Sequence, residues 1–232
     1  MTYSVVARCA ETGAFGIAIT SSSICVPSRC AWVGPLGAVV TQNLTNPGLG
    51  PAGLQLLRQG MGAKAVLTAL IDGDPSPAWR QVAVIDRYDQ IAFHSGAKSL
   101  PAVGVSRGKE CFAFGNILAN SDVPKAMTDR FDMLAGRSLA ERLLQALEAG
   151  LDAGGEVADE RAAGLHVCQT YDWPVVDLRV DWHPDPIVKL REIWTEYEPQ
   201  AHLFALRASA PEEAALLKES AALGLIQSGR KT

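Results

Sequence analysis

The chain opens on two short runs that are apolar on both faces and joined by a tight turn. Residues 3–8 read YSVVAR and residues 14–20 read AFGIAIT, with Glu11-Thr12-Gly13 between them. Two β-favouring runs around a Gly-containing loop predict an antiparallel hairpin. Apolar side chains on both faces need cover on both sides, so a sheet with one face in water does not fit. Other elements of the chain must supply that cover.

The rest of the sequence comes in blocks. Residues 21–35 read as irregular, and a third strand is expected at 37–43 (GAVVTQN). After the Asn46-Pro47-Gly48 break, helices are expected at 51–60, with Pro51 at its first position, and at 62–71. Strand pairs follow at 80–86 with 90–95, and at 102–106 with 110–115. The period then changes. Residues 121–135 place Val123, Met127, Phe131 and Leu134 on one helical face behind a Ser121 cap. Residues 138–153 form the clearest helix, with Ser138 and Glu141 in capping-box register and Gly154-Gly155 as its stop. Strands return at 162–169 and 175–180, a helix follows over 186–197, and the Ala-, Glu- and Leu-rich stretch from 211 reads as a last helix.

Strands paired as hairpins fit a doubly wound parallel sheet poorly. The expected fold class is therefore α+β, a four-layer α-β-β-α sandwich of two antiparallel sheets. No linker composition or charge block divides the chain. A single domain over 1–200 is expected, with 201–232 as a helical tail packed on it or on a partner.

Composition narrows the function classes. A net charge of −4 with dispersed basic residues argues against nucleic acid and against a membrane surface. No apolar run is long enough to span a bilayer, and no signal peptide is read at the start, so a cytoplasmic location is expected. Five cysteines without CxxC spacing read as free thiols, not as a disulfide framework or zinc site. No metal and no cofactor are expected. Hydrophobic residues make up 48% of the chain, which fits a self-complementary homodimer.

HExxH, P-loop, GxGxxG and GxSxG patterns are absent. His183, in Asp-Trp-His-Pro-Asp, reads as a capping or turn residue, and His94, at a strand end, as a pocket-lining candidate. Asp177, Arg179 and Asp181 alternate along one strand as a structural charge cluster. The position that carries chemistry is Thr2. With Met1 trimmed, its hydroxyl and its own α-amine form a nucleophile and general base within one residue, the amine titrating near neutrality. The threonine runs directly into the buried hairpin, which would hold that amine inside the fold.

The segments Thr2–Arg8, Glu11-Thr12-Gly13 and Phe15–Ile19 resemble the opening hairpin of N-terminal-nucleophile (Ntn) hydrolases such as proteasome β-subunits. More closely, the chain resembles an uncharacterised bacterial family of that superfamily, domain of unknown function 1028. The resemblance runs through Gly37–Gln42, Asn46-Pro47, Gly50–Leu54, Arg80–Val84, Gly115–Ala119 and Val176–Asp181 with His183-Pro184, up to about residue 197. It implies an Ntn-hydrolase-like sandwich and a candidate N-terminal threonine, but no particular substrate. The third strand lacks the lysine of proteasome-type sites, so proteasome-like peptidase activity is not implied.

Partners for Thr2 are sought at the neighbouring strand ends. Ser4 lies on the same strand face, and Ser21 and Ser22 end the paired strand, where they either orient the amine or satisfy local backbone groups. Gln42, Asn43 and Asn116 are strand-end amides suited to an oxyanion hole. Asn116 alternatively serves as a left-handed turn residue. Arg29 or Arg8 could clamp a substrate carboxylate. The expected catalytic set is thus Thr2, Asn116 and Gln42, with Ser4, Ser21, Ser22, Asn43, His94 and Arg29 contacting a small-molecule substrate. The expected activity is cleavage of a small amide or other C–N bond; the alternative is a non-catalytic small-molecule-binding protein on the same fold.

Overall fold

Alternation along the opening hairpin sets the architecture. The computed structural model describes residues 1–222. Strands β1 (Thr2–Arg8) and β2 (Phe15–Ser21) pair antiparallel, with Ser4 opposite Ile19 and Val6 opposite Ile17. Residues 21–35 depart from the irregular reading. They hold a short helix α1 (Val26–Cys30), entered through Pro27, and strand β3 (Ala31–Gly34), which pairs with β4 (Gly37–Asn43). Elements of four or five residues have too little period to read from sequence, and tertiary partners decide them.

Helices α2 (Leu49–Arg58) and α3 (Ala63–Gly73) follow, then strands β5 (Arg80–Asp86), β6 (Ile91–Ser95), β7 (Gly104–Arg107) and β8 (Cys111–Asn116). Next come α4 (Val123–Met133), α5 (Leu139–Asp152), β9 (Ala162–Cys168), β10 (Val176–Val180), α6 (Pro186–Ser209) and α7 (Pro211–Ala222). Ser138 caps α5 as expected, its Oγ accepting the Glu141 N–H at 3.3 Å. Ser121 does not cap α4. Asp122 takes that position, and its N–H is held by Asn120 Oδ1 at 2.9 Å, so the preceding asparagine turn sets the entry.

Among the described residues all strand pairs are antiparallel. One sheet runs β10-β9-β2-β1-β8-β7 and the other β3-β4-β5-β6. Between them lie Val6, Ile17, Ile19, Val40, Ala83, Ile85, Phe112 and Phe114, with Phe93 packed against them. Phe93 sits 5.1 and 5.0 Å from the ring centroids of Phe112 and Phe114, tilted against both. Helices α4 and α5 cover the outer face of the larger sheet. Leu57, Val66 and Leu70 of α2 and α3 pack on Val39, Val82 and Val84, outside the smaller one. The sheets thus have the cover that the opening runs require.

The described residues fall into two compact units, Met1–Leu190 and Arg191–Ala222. Within the second unit the Tyr197 ring contacts Phe204 at 5.3 Å. Residues 223–232 of the expected tail lie outside the described residues. Among the described residues no helix is long and apolar enough to cross a membrane.

Phe114 is fully buried in the inter-sheet layer. Phe114→Ala should cost about 3–5 kcal/mol, read as a lower midpoint in urea unfolding with an unchanged slope.

Candidate functional site

Where β1 begins, the layer between the sheets turns from apolar to polar. The alternation that sends Val6 into the core sends Ser4 and Thr2 to the same face. Asn116 of β8 lies directly opposite Thr2. Across the layer, Gln42 of β4 lies opposite Gln81 of β5, and Gln81 opposite Ser95 of β6.

These side chains form one hydrogen-bonded cluster centred on Gln81. Its Oε1 accepts from Asn116 Nδ2 at 2.8 Å and from Gln42 Nε2 at 3.2 Å. Its Nε2 faces Ser95 Oγ at 3.2 Å and the Gly115 carbonyl at 3.4 Å. Ser4 Oγ donates to Gln42 Oε1 at 2.7 Å, and Gln42 Nε2 also reaches the Thr2 carbonyl at 3.5 Å. Ser4, Gln42, Gln81 and Asn116 are fully buried. Neutral amides can satisfy one another here, where unpaired charges would be costly to bury. One acceptor is left over: Asn116 Oδ1 is buried without a hydrogen-bond partner.

Thr2 stands at the outer edge of this cluster, 5% exposed beneath a half-buried Met1. Its hydroxyl lies 3.3 Å from Ser21 Oγ, and both hydroxyls reach the Met1 carbonyl oxygen. Ser21 Oγ also accepts the Ser23 N–H at 3.0 Å. On the other flank Gly115 admits Thr2 closely. A Cβ at that glycine would stand 2.9 Å from the Thr2 carbonyl oxygen and 2.9 Å from Tyr3 Cβ.

A pair of buried carboxylates closes this end. Helix α5 stops at Gly154-Gly155, both at positive φ, with the Gly155 N–H returning to the Gly150 carbonyl. Glu156 then bridges to Leu118, two residues past Asn116, while its Oε2 accepts the Ser22 N–H at 3.1 Å. Glu160 Oε1 accepts the Glu156 N–H at 3.1 Å. Glu156 is 6% exposed, and its Oε1 is buried with no hydrogen-bond partner. Burial pushes its carboxyl up to about 7 against the pull of the Ser22 N–H, the positive charge of the chain start and the Ser22 hydroxyl; Glu160 adds to the rise. Burial, followed by nearby Glu160, likewise raises the Tyr3 hydroxyl well above its ordinary value. A cleft of about 450 Å³, lined by Leu151, Asp159, Glu160, Arg161 and Ile187 among others, touches this pair through Glu160.

The candidates read from sequence thus separate into two groups. Thr2, Ser4, Ser21, Gln42 and Asn116 are brought together, and Ser22, next to Ser21, gives its N–H to Glu156. Asn43, His94 and Arg29 have other engagements. Asn43, at φ 71, ties Trp79 O to Leu100 N. His94 pairs with Val82, whose side chain packs against the α2–α3 layer, and its Nε2 meets the Pro77 carbonyl at 2.9 Å. That is the opposite sheet face from Gln81 and Ser95. Arg29 Nη2 donates to the Ile24 carbonyl at 2.7 Å. The left-handed residue beside Gly115-Asn116 is Ile117, at φ 52, whereas Asn116 is extended within β8. Gln81, Glu156 and Glu160 were missed. Gln81 shares the parity of the inward Ala83 and Ile85, a signal available in the sequence. Glu156 follows a glycine turn and had none.

His183 Nδ1 accepts the Asp185 N–H at 3.0 Å at the entry to α6, a capping contact. Asp177 Oδ1 lies 3.3 Å from His166 Nδ1. All five cysteines are free. Among the described residues, no group of three His, Cys, Asp or Glu side chains is arranged to hold a metal ion.

Two antiparallel sheets between helices, with a threonine-headed polar cluster at one end, define an α+β protein of the sandwich type. The chain belongs to the Family of unknown function (DUF1028), whose model matches residues 2–190. It is similar to the crystal structure of protein SPO2555 from Silicibacter pomeroyi, at 30% identity and a TM-score of 0.77 over 84% of this chain and 85% of that one. Anbu (ancestral beta-subunit) from Yersinia bercovieri matches at 12% identity and a TM-score of 0.37, over 88% of this chain and 96% of that one. No curated protein matches the chain.

Gln81→Leu leaves the amide nitrogens of Gln42 and Asn116 without their shared acceptor. It should destabilise the protein by about 2–3 kcal/mol, measured by chemical denaturation. Glu156 makes stability depend on pH. Folded, it holds a proton up to about 7, above the ordinary carboxylate value, so between those limits the folded state binds more protons. Its contribution to stability therefore falls as pH rises through that window, by at most about 1.4 kcal/mol per pH unit. Glu156→Gln should gain stability relative to wild type over the same rise, read from paired denaturation curves at each pH.

Proposed function

We propose that this protein is an Ntn-type amidohydrolase that cleaves a small amide or related C–N bond, with Thr2 as nucleophile. The observation that carries the reading is the convergence of the Thr2 and Ser21 hydroxyls on the Met1 carbonyl oxygen. Removal of Met1 takes that carbonyl away, uncovers Thr2 and frees its α-amine. A substrate carbonyl placed at the same point would meet a nucleophile and a hydroxyl donor together.

The chemistry then runs as acyl transfer. The α-amine takes the Thr2 hydroxyl proton as Oγ attacks the carbonyl carbon. Collapse of the tetrahedral intermediate breaks the C–N bond, and the amine hands its proton to the departing nitrogen. The same amine then deprotonates a water, whose oxygen attacks the Thr2 ester; as the C–O bond breaks, the amine returns that proton to Oγ. Of the oxyanion candidates, Gln42 has both amide hydrogens committed, to Gln81 and to the Thr2 carbonyl. Asn116 gives one to Gln81 and keeps one, so Asn116 and Ser21 are the donors in this reading. The free cysteines suit a cytoplasmic setting, and a homodimer belongs to the same proposal.

The rival is a non-catalytic binding protein on this fold. It is favoured by the burial and mutual satisfaction of Ser4, Gln42 and Gln81, which hold strand ends together without needing a substrate.

Intact-mass measurement on untagged protein decides between them. The hydrolase reading expects loss of Met1 and a single adduct with a threonine-reactive electrophile, abolished in Thr2→Ala. Retained Met1 with no adduct would sink it and leave the binding protein.

A further inference from the structure

A catalytic α-amine needs more than a nearby hydroxyl. An ammonium with three donors, held at a buried strand end, requires acceptors fixed around it. Among the buried polar atoms that have no hydrogen-bond partner, Glu156 Oε1 and Asn116 Oδ1 are acceptors on the two flanks of β1. Asn116 lies directly opposite Thr2 on β8. Glu156 is tied to both strands that flank β1. Its Oε2 accepts the N–H of Ser22, next to the Ser21 that meets Thr2 from β2, and its backbone bridges to Leu118, just past the end of β8. The carboxyl is therefore held beside the place where β1 starts.

Building on the hydrolase reading, we infer that Glu156 is the positioning residue of the Thr2 α-amine. Its unpartnered Oε1 accepts an N–H of the ammonium once Met1 is removed, and Asn116 Oδ1 is a second acceptor. The contact aims the amine and sets how tightly it holds its proton. It acts through the amine, not on the substrate. The carboxyl already senses the positive charge of the chain start. The other groups facing it are Ser22, just past β2, Glu160, from the segment after α5, and the Tyr3 hydroxyl of β1. Glu160 and Glu156 each give one oxygen to a backbone N–H, and of the two it is Glu156 whose second oxygen is buried without a partner.

The test is a titration of the amine itself. In protein grown with ¹³C-threonine, the Thr2 signals are followed by NMR against pH and assigned by their loss in Thr2→Ser. Wild type should show two inflections, because amine and carboxyl titrate as a coupled pair. Glu156→Gln should show one, with the amine titrating about one unit lower once the neighbouring negative charge is gone. The electrophile adduct is measured on the same samples, and its rate against pH should move with the amine. A single inflection in wild type, or an amine titration unchanged in Glu156→Gln, overturns the assignment. An adduct that still forms on Thr2 then leaves the hydrolase reading standing. Two inflections without an adduct overturn the hydrolase reading and uphold the Glu156–amine contact. Retention of Met1 overturns both. If Glu156→Gln does not fold, Glu160→Gln serves in its place: both inflections should persist there, and loss of one overturns the assignment to Glu156.

Discussion

Strand β1 is the constraint on which the rest depends. It lies inside the six-stranded sheet, paired to β2 on one side and β8 on the other, and six of its seven residues are buried. A strand in that position must find partners for both faces. The period of two sends Val6, Ser4 and Thr2 toward the second sheet, while Tyr3, Val5 and Ala7 face the α4–α5 side. Because a slip of one residue would exchange the two sets, the register that buries Val6 also fixes where Thr2 stands. Core packing and candidate chemistry are thus set by the same pairing.

The polar end of the sandwich is costly unless its members satisfy one another. Amides and hydroxyls do this through Gln81, which takes two donors on one oxygen and gives both hydrogens away. The carboxylate pair beyond it is different. Burial holds Glu156 near neutrality in its protonation, with an oxygen still unpartnered. Perturbed groups of this kind are found where a fold keeps chemistry or binding, and elsewhere too; Glu156 and Tyr3 are two of those in this fold. Glycines make the arrangement possible at two points. Gly115 lets the Thr2 backbone approach closely, and Gly155, at φ 59, carries the turn that delivers Glu156.

Much of this was legible in the residues. Hairpin pairs with two apolar faces led to two covered antiparallel sheets, and Ser138 with Glu141 marked the start of α5. Parity along short strands was enough to place Ser4 beside Thr2 and to bring Ser21 to it from the paired strand. It was not enough for His94. A strand-end histidine points to one face or the other according to which neighbour buries it, and Val82 put it on the helix side. Asn116 was read as either a turn residue or a donor. The turn fell one residue later, at Ile117, because Asn116 stays in register with Thr2.

Local propensity and periodicity determined the strands and most of the helices, because these depend on neighbours within a few positions; Thr2 was a candidate from its place behind Met1. Only the tertiary structure decided which distant side chains meet that threonine. Gln42, Gln81 and Asn116 come from three strands, and their contact depends on the stacking of two sheets. Glu156 comes from a loop far along the chain, and it meets Ser22 and Leu118 only because α5 ends where β2 and β8 end. No local pattern encodes that coincidence; it follows from packing a helix of fixed length across a sheet of fixed register.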